Sequence, residues 1–426
     1  MTPQIKQRIE QIRCGEVPEG YKRTKAGVVP VEWEEVRIGD VLTQRKTLRC
    51  ISEDAPLLSF TIEEGVIDPA DKKSNKRDFL IKDITTKKFA LTEVGDIIYN
   101  PANLKFGAIH RNNLRRGVVS PIYGIFYGAQ NSTFMGYLLH NQRFIDYAKI
   151  YTEGTVEKLK TLNSDTFKKL KITLPSLEEQ EKIVEILSTQ DQVINLIQKK
   201  NSELLKLKKS LLNSVIPKSN YIYPKRRFPK FDSEWNRLRV GDYCTIFAGG
   251  TPSTTISSYW ENGNVNWIQS GAIQDCCIKE SDIPIKITKL GLDNSSAKLI
   301  RPNTALLAMT GATCGKSGFL TCESSANQSV MAFETELLDS KFLYYTFQRN
   351  RDYILTFQSG GAQAGINKES CCGFKFSFPN KKEQEIISKF LSIVDKNINL
   401  TRDELGREKQ KKKALMQLLL TGVVRV

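Results

Sequence analysis

From Ile183 to Val215 apolar residues return at steps of three and four: Ile183, Leu187, Ile194, Ile197, Leu204, Leu207, Leu211 and Val215. A period near 3.5 predicts a coiled-coil seam rather than the wider apolar face of a globular helix. Pro175 breaks the chain before this stretch, Ser176 is placed to cap it, and Pro217 ends it. Glu178, Glu179 and Glu181 crowd the first turn, where the helix dipole favours acids. Roughly 38 helical residues at about 1.5 Å each make a rod about 57 Å long. Alone, such a rod cannot bury its seam.

The partner is written in the same chain. From Phe378 the pattern returns, with Ile387, Leu391, Val394, Ile398 and Leu415 along its seam. Pro379 answers Pro175, Glu383-Gln384-Glu385 answers Glu179-Gln180-Glu181, and Asp395 answers Asp191, at a constant offset of 204 residues (379 − 175, 395 − 191). A second echo precedes each helix. Val31-Glu-Trp-Glu-Glu-Val-Arg-Ile-Gly-Asp-Val41 is matched by Ser233-Glu-Trp-Asn-Arg-Leu-Arg-Val-Gly-Asp-Tyr243, with Trp33 and Trp235 as anchors. An internal repeat this long means that the chain does one job twice.

Between the echoes, short runs of Ile, Val, Phe and Tyr are punctuated by Gly, Asn, Asp and Pro, the pattern of strands. Each β-rich stretch closes with a helical patch, Phe134 to Lys149 and Phe342 to Ile354, followed by a polar glycine-containing loop. Gln4 to Glu16 predicts a short amphipathic helix, and Tyr21 to Pro30 a loop. The expected architecture is α+β: two β-rich domains joined by two long helices that form an antiparallel coiled coil, with a pseudo-twofold internal repeat. The expected segments are a lead-in at 1–30, domain one at 31–174 and the first helix at 175–217. A basic, proline-stiffened linker at 218–230, domain two at 231–378 and the second helix at 379–426 complete the chain.

Lys and Arg total 63 against 47 Asp and Glu, a net charge of +16, which calls for a polyanionic partner. No basic amphipathic helix has an aromatic face, and no apolar run reaches the roughly 18–20 residues that span a bilayer, so nucleic acid is expected and membrane is not. The N-terminal residues lack the apolar core of a signal peptide, and the cytoplasm is the expected compartment. Nine cysteines without a Cys-x-x-Cys, and only two histidines, argue for reduced thiols and against a zinc site.

The interiors of the domains differ more than their frames. Domain one carries basic clusters at Lys72, Lys73, Lys76 and Arg77, and at Arg111, Asn112, Asn113, Arg115 and Arg116. Domain two carries a Gly249-Gly250-Thr251-Pro252-Ser253-Thr254 loop, then Trp267 and Gln269, the Lys316-Ser317 pair, and Gln363 in its last polar loop. These residues are the candidate DNA contacts, cations for phosphate and hydroxyls or amides for phosphate and base edges. Gly311 to Ser317 nearly spells a phosphate-binding P-loop, but only three residues separate its glycines and no long helix follows. Tyr99-Asn100-Pro101-Ala102-Asn103 faintly resembles the Asn-Pro-Pro-aromatic motif of amino-methyltransferases, without the second proline or the aromatic. No catalytic constellation is recognisable, and no metal ligand set.

Two variable β-rich domains, each followed by a long helix opened by proline and Glu-Gln-Glu, closely resemble the specificity subunit of type I restriction-modification systems. Gly249-Gly250-Thr251-Pro252-Ser253, then Tyr259-Trp260, then Trp267-Ile268, look like a widespread class of its target-recognition domain; domain one lacks that loop. The likeness covers essentially the whole chain. It implies a non-catalytic DNA reader in which each domain reads one half of a split, asymmetric double-stranded site. It further implies two methyltransferase subunits docked on the helices, each modifying an adenine, and, where restriction accompanies modification, ATP-dependent nuclease subunits. No cofactor is then expected in this chain; S-adenosylmethionine belongs to the methyltransferase, ATP and Mg2+ to the restriction partner. A helix pair of about 57 Å would hold the readers one to one and a half turns of B-DNA apart, at about 34–36 Å per turn. The rival classes are an ATP-using enzyme built on the near-P-loop and a protein scaffold with no DNA role.

Overall fold

Both long helices are present in the computed structural model, Leu177–Val215 and Lys381–Leu419, each of 39 residues. The structure describes residues 2–25, 27–72, 87–152, 161–360 and 364–426. By contact it divides into a first unit, residues 1–197 with 404–426, and a second unit, residues 198–403. Each long helix therefore contributes one stretch to each unit, so a helix is not a separate body from the domain beside it.

The repeated Pro-x-x-x-Glu-Gln has a local physical cause. Ser176 Oγ accepts the Glu179 N–H at 3.3 Å, and Asn380 Oδ1 accepts the Glu383 N–H at 3.0 Å, which caps the two helices. Gln180 and Gln384 each donate back to the carbonyl of their proline, at 3.0 and 2.9 Å. The glutamate before each glutamine is buried and met by an arginine fork: Arg425 on Glu179 at 2.6 and 2.9 Å, Arg227 on Glu383 at 2.8 and 2.7 Å. Glu179 also accepts the Trp33 indole N–H at 3.2 Å.

Within each unit the two helix stretches run antiparallel. Gln190 reaches Glu408 and Asp191 reaches Lys412 in the first; Lys208 reaches Asp395 in the second. Ile183, Leu187, Ile194, Ile197, Ile387, Leu391, Val394 and Ile398 are buried as expected, while Leu204, Leu211 and Leu415 are half-buried. Leu207 is a correction: it is 47% exposed, and Lys208 beside it is buried at 8%. A strict alternation of three and four runs through Gln190, Asn201 and Lys208, and the first and last of these have partners on the facing helix. The seam is continued there by a hydrogen bond and an ion pair, and Leu207 falls outside it.

The other echo closes each domain. Glu34–Arg37 pairs antiparallel with Lys171–Leu174, and Asn236–Arg239 pairs the same way with Lys375–Phe378. Each domain is thus tied off by a two-stranded ribbon made from its first and last residues, immediately before its helix begins. Inside the second unit a five-stranded sheet runs in the order Thr245–Ala248, Val330–Glu334, Thr304–Ala308, Ser317–Leu320, Cys276–Ile278, antiparallel except for the last pair. The first unit has a four-stranded counterpart, Ile109–Arg111, Ile97–Tyr99, Gly124–Tyr127, Thr43–Gln44.

Apolar side chains from sheet, domain helix and long helix meet in one cluster per unit. Phe333, Phe342, Tyr345, Leu212 and Leu391 share one; Phe126, Phe134, Leu187 and Leu419 share the other. Each expected helical patch is interrupted by an asparagine, giving Ser132–Leu139 and Gln142–Lys149, then Ser340–Arg349 and Arg351–Leu355. The stretch from Tyr21 to Pro30, expected as a loop, contains a hairpin, Tyr21–Thr24 with Gly27–Pro30. Tyr21 donates its hydroxyl to Gly422 O at 2.7 Å, so the hairpin is held by the tail beyond the second helix. Among the described residues no helix is long and apolar enough to cross a membrane.

Candidate nucleic-acid interface

In the second unit, strand register gathers several connections at one end of the sheet. Ala248 pairs Met331, Ala308 pairs Val330, Leu307 pairs Ser317, and Cys276 pairs Gly318. Segments 249–255, 269–275, 309–316 and 327–329 therefore emerge side by side, and Gly365 is bridged to Thr310 and Ser359 at the same edge.

The Gly-Gly-Thr-Pro-Ser loop is held rigid by the tryptophans that follow it. Trp267 donates its indole N–H to Gly250 O and Trp260 to Ser253 O, both at 3.0 Å, and the rings meet edge to face at 5.1 Å. The paired glycines are required by the protein itself: a Cβ on Gly249 would lie 2.1 Å from Ala326 O, and one on Gly250 2.3 Å from the Ser296 carbonyl carbon. Thr251, Ser253 and Thr254 are left exposed, as expected of contacts. Trp267 is corrected: at 5% exposure it supports the loop and does not present a face to solvent.

Lys316 and Ser317 part company. Ser317 is fully buried, with its N–H and hydroxyl turned to Asp275 Oδ1 at 2.9 and 3.3 Å, so it is not a surface contact. Lys316 stays at the rim and donates to Gln274. The near-P-loop is a tight turn whose N–H groups are spent internally: Cys314 on Gly311 O, Gly315 on Ala308 O, Lys316 on Thr313 O. Nothing there cradles a phosphate. Gln269 is exposed on the same edge, and Gln274 and Gln328 join it, two residues that sequence reading missed. Gln328 accepts from the Thr251 hydroxyl at 2.5 Å, which only the folded register brings about.

The first unit repeats the edge with different chemistry. Tyr99 pairs with both Ile109 and Gly124, so segments 100–108 and 120–123 emerge together. Phe106 and Ile122, each 63% exposed, crown them, and neither carried a sequence signal. The expected cluster from Arg111 to Arg116 sits at the opposite end of this sheet. Asn112 is corrected outright: it is fully buried and hydrogen-bonded to Thr92 and Arg115. Arg111 is half-buried against Ser132 and Asn113, Arg115 pairs with Asp68 at 2.5 Å, and Arg116 lies 3.6 Å from Asp54. These arginines brace the domain's own surface. Lys72 is half-buried after a short turn, whereas Lys73, Lys76, Arg77 and Gln363 lie outside the described residues.

Away from the edges, the chain's two histidines lie 4.3 Å apart, ring to ring, in the first unit. With Arg111, Tyr137, Asp191 and Lys412 they line a polar cavity of about 280 Å³. Each ring nitrogen that faces the protein meets a backbone oxygen, Ile62 O at 2.7 Å and Ile109 O at 2.8 Å. The cysteines are thiols rather than disulfides, and burial pushes the Cys244 and Cys371 thiols up to about 12. Among the described residues no three His, Cys, Asp or Glu side chains gather to hold a metal ion.

A doubled frame of this kind, with a variable loop edge on each copy, defines a two-headed recognition module. The model of the type I restriction modification DNA specificity domain matches the chain twice, over residues 30–206 and 232–407, and the chain belongs to that family. It is 24% identical to a putative type I restriction enzyme MjaX specificity subunit of Methanocaldococcus jannaschii, over 96% of this chain and 97% of that one. It is 26% identical to the EcoR124I/EcoR124II specificity subunit of Escherichia coli over 56% of this chain and 59% of that one. Among solved structures, the type I restriction-modification S subunit from M. genitalium shares the fold at a TM-score of 0.56, 13% identity, with 91% of this chain and 96% of that one covered. A chain from a study of type I R-M complex assembly and conformational transition scores 0.55 at 16% identity, covering 93% and 99%.

Proposed function

We propose that this chain is the DNA-reading specificity subunit of a type I restriction-modification complex, each loop edge reading one half of a bipartite, asymmetric site. The observation that carries the reading is the pairing of a repeated mounting with unlike edges. The second unit offers Thr251, Ser253, Gln269, Gln274, Gln328 and Lys316, hydroxyls and amides with one cation. The first offers exposed Phe106 and Ile122 beside polar turns. Two readers of one sequence would need matching edges; two readers of different sequences need these.

The chain acts with partners that supply the chemistry. Two methyltransferase subunits, carrying S-adenosylmethionine, dock on the outward faces of the long helices, where Arg402 is exposed. Where restriction accompanies modification, subunits that use ATP and Mg2+ complete the nuclease, and the complex works in the cytoplasm, where its DNA is. The test is methylome sequencing of a host with and without this gene. Loss of one split adenine-methylated motif on deletion is the expected result, and an unchanged methylome would reject the reading.

A further inference from the structure

One three-residue arrangement occurs once in each unit, at matching positions of the repeat. In the first unit Tyr137, on the domain helix, donates its hydroxyl to Asp191 Oδ2 at 2.7 Å. Asp191 Oδ1 meets Lys412 Nζ at 2.5 Å, and Lys412 lies 5.3 Å from the centre of the Tyr137 ring. In the second unit Tyr345 donates to Asp395 Oδ2 at 2.7 Å, Asp395 Oδ1 meets Lys208 Nζ at 2.7 Å, and Lys208 lies 5.7 Å from the Tyr345 ring. Each triangle has a corner on three segments: the domain helix, the start of one long helix and the far part of the other.

The surroundings of the two triangles have diverged while the triangles have not. Gly136 stands where Tyr344 stands in the second unit, and His110 where Gly318 stands; in each unit one bulky ring is matched with one glycine. Lys208 and Asp395 keep only 10% and 14% of their side-chain surface, Lys412 and Asp191 26% and 32%. An apolar seam alone allows a helix pair to slip by a heptad, whereas a charged pair within it accepts one register. The tyrosine adds what a coiled coil does not need: a bond from the recognition domain to the same carboxylate. Burial and the adjacent aspartate push both tyrosine hydroxyls well above their ordinary value, so they remain donors.

We infer that Tyr137–Asp191–Lys412 and Tyr345–Asp395–Lys208 are positioning residues that fix each reading edge relative to the helix register, and that they set how strictly the gap between half-sites is measured. The inference rests on the DNA-reading function proposed above. Its test uses the full complex in its host, read by methylome sequencing of strains carrying Tyr137→Phe, Tyr345→Phe, Asp191→Asn and Asp191→Glu. Both Tyr→Phe variants and Asp191→Asn are expected to keep the half-site bases but also to mark sites one base pair off in gap. Off-gap marks should rise about tenfold, the ratio that corresponds to about 1.4 kcal/mol of lost discrimination. Asp191→Glu should bring back much of the strictness. A residue that merely stabilises the fold would lower total methylation without changing the gap, and that result overturns the inference. If Asp191→Asn destroys the protein, the two Tyr→Phe variants, each lacking one oxygen and no packing, decide alone. A gene deletion that leaves the methylome intact would instead reject the DNA-reading function itself.

Discussion

Single side chains decide where this protein is fragile. Among the described residues Arg425 makes the ion pair with the buried Glu179, and Arg425→Ala would leave that carboxylate with the Trp33 N–H as its hydrogen-bond donor. The expected loss is about 2–3 kcal/mol, the range for a buried charge that loses its hydrogen-bonded partner, read as a lower urea midpoint. The histidine pair adds a dependence on acidity. Burial, and then His140, pull His110 down to about 4, and burial lowers His140 as well. Unfolded, both titrate near about 6.5. The unfolded chain therefore binds more protons across that window, and the stability these groups contribute is complete above about 6.5 and is lost as pH falls toward about 4. His110→Gln should flatten the fall of the denaturation midpoint between about pH 7.5 and about pH 5; equal slopes would show that other groups carry it. Charge at the surface is a separate matter. Lys316→Ala should reduce the log–log salt slope of DNA binding by about 0.9, whereas alanine at Arg115 and Arg116, which answer Asp68 and Asp54, should leave it unchanged.

At the level of elements, the sequence was most legible where contacts are local or repeated. The helix caps, the Glu-Gln-Glu turn and the tryptophan that leads into each ribbon strand appear twice at fixed offsets, and each copy vouches for the other. At the seam, Leu207 has the apolar chemistry, but the alternation of three and four falls on Lys208. Lys208 looks wrong there until Asp395, 187 residues later, supplies its partner. The reading edges were harder still. Trp267, Asn112 and Ser317 have the chemistry of DNA contacts, but tertiary neighbours turn them inward, and nothing within a few residues announces Asp275 or Thr92 as those neighbours. Leu187→Asp should abolish folding, since it puts a charge into a fully buried seam, while Leu207→Asp should be tolerated; circular dichroism on both variants checks the corrected phase. The helices also bear on spacing. Seven residues inserted after Ile197 together with seven after Asp403 lengthen both by about 10 Å with the heptad in phase. The methylated motif should then keep its half-sites and gain a gap about three base pairs longer, at about 3.4 Å each. An unchanged gap in an active variant would show that helix length does not set it.

For the whole molecule, likeness of frame and unlikeness of edge predict separable readers. Replacing Gln269, Gln274 and Gln328 with alanine should change the bases of one half-site in the methylated motif and leave the other as it was; changes in both halves would show that the units do not read alone. The contact division has another consequence, for synthesis. The second unit is one unbroken stretch of chain, so it holds all its own contacts once residue 403 has left the ribosome. The first unit begins earlier but is completed by residues 404–426, among them Leu419 and Leu420 in its apolar cluster, Gly422 on Tyr21 and Arg425 on Glu179. Its closure joins segments more than 200 residues apart, the slowest kind of contact to find. The domain that is translated first is therefore the last to have all its segments available, and until then the first helix's stretch in that unit, residues 177–197, lacks the stretch of the second helix that it pairs with.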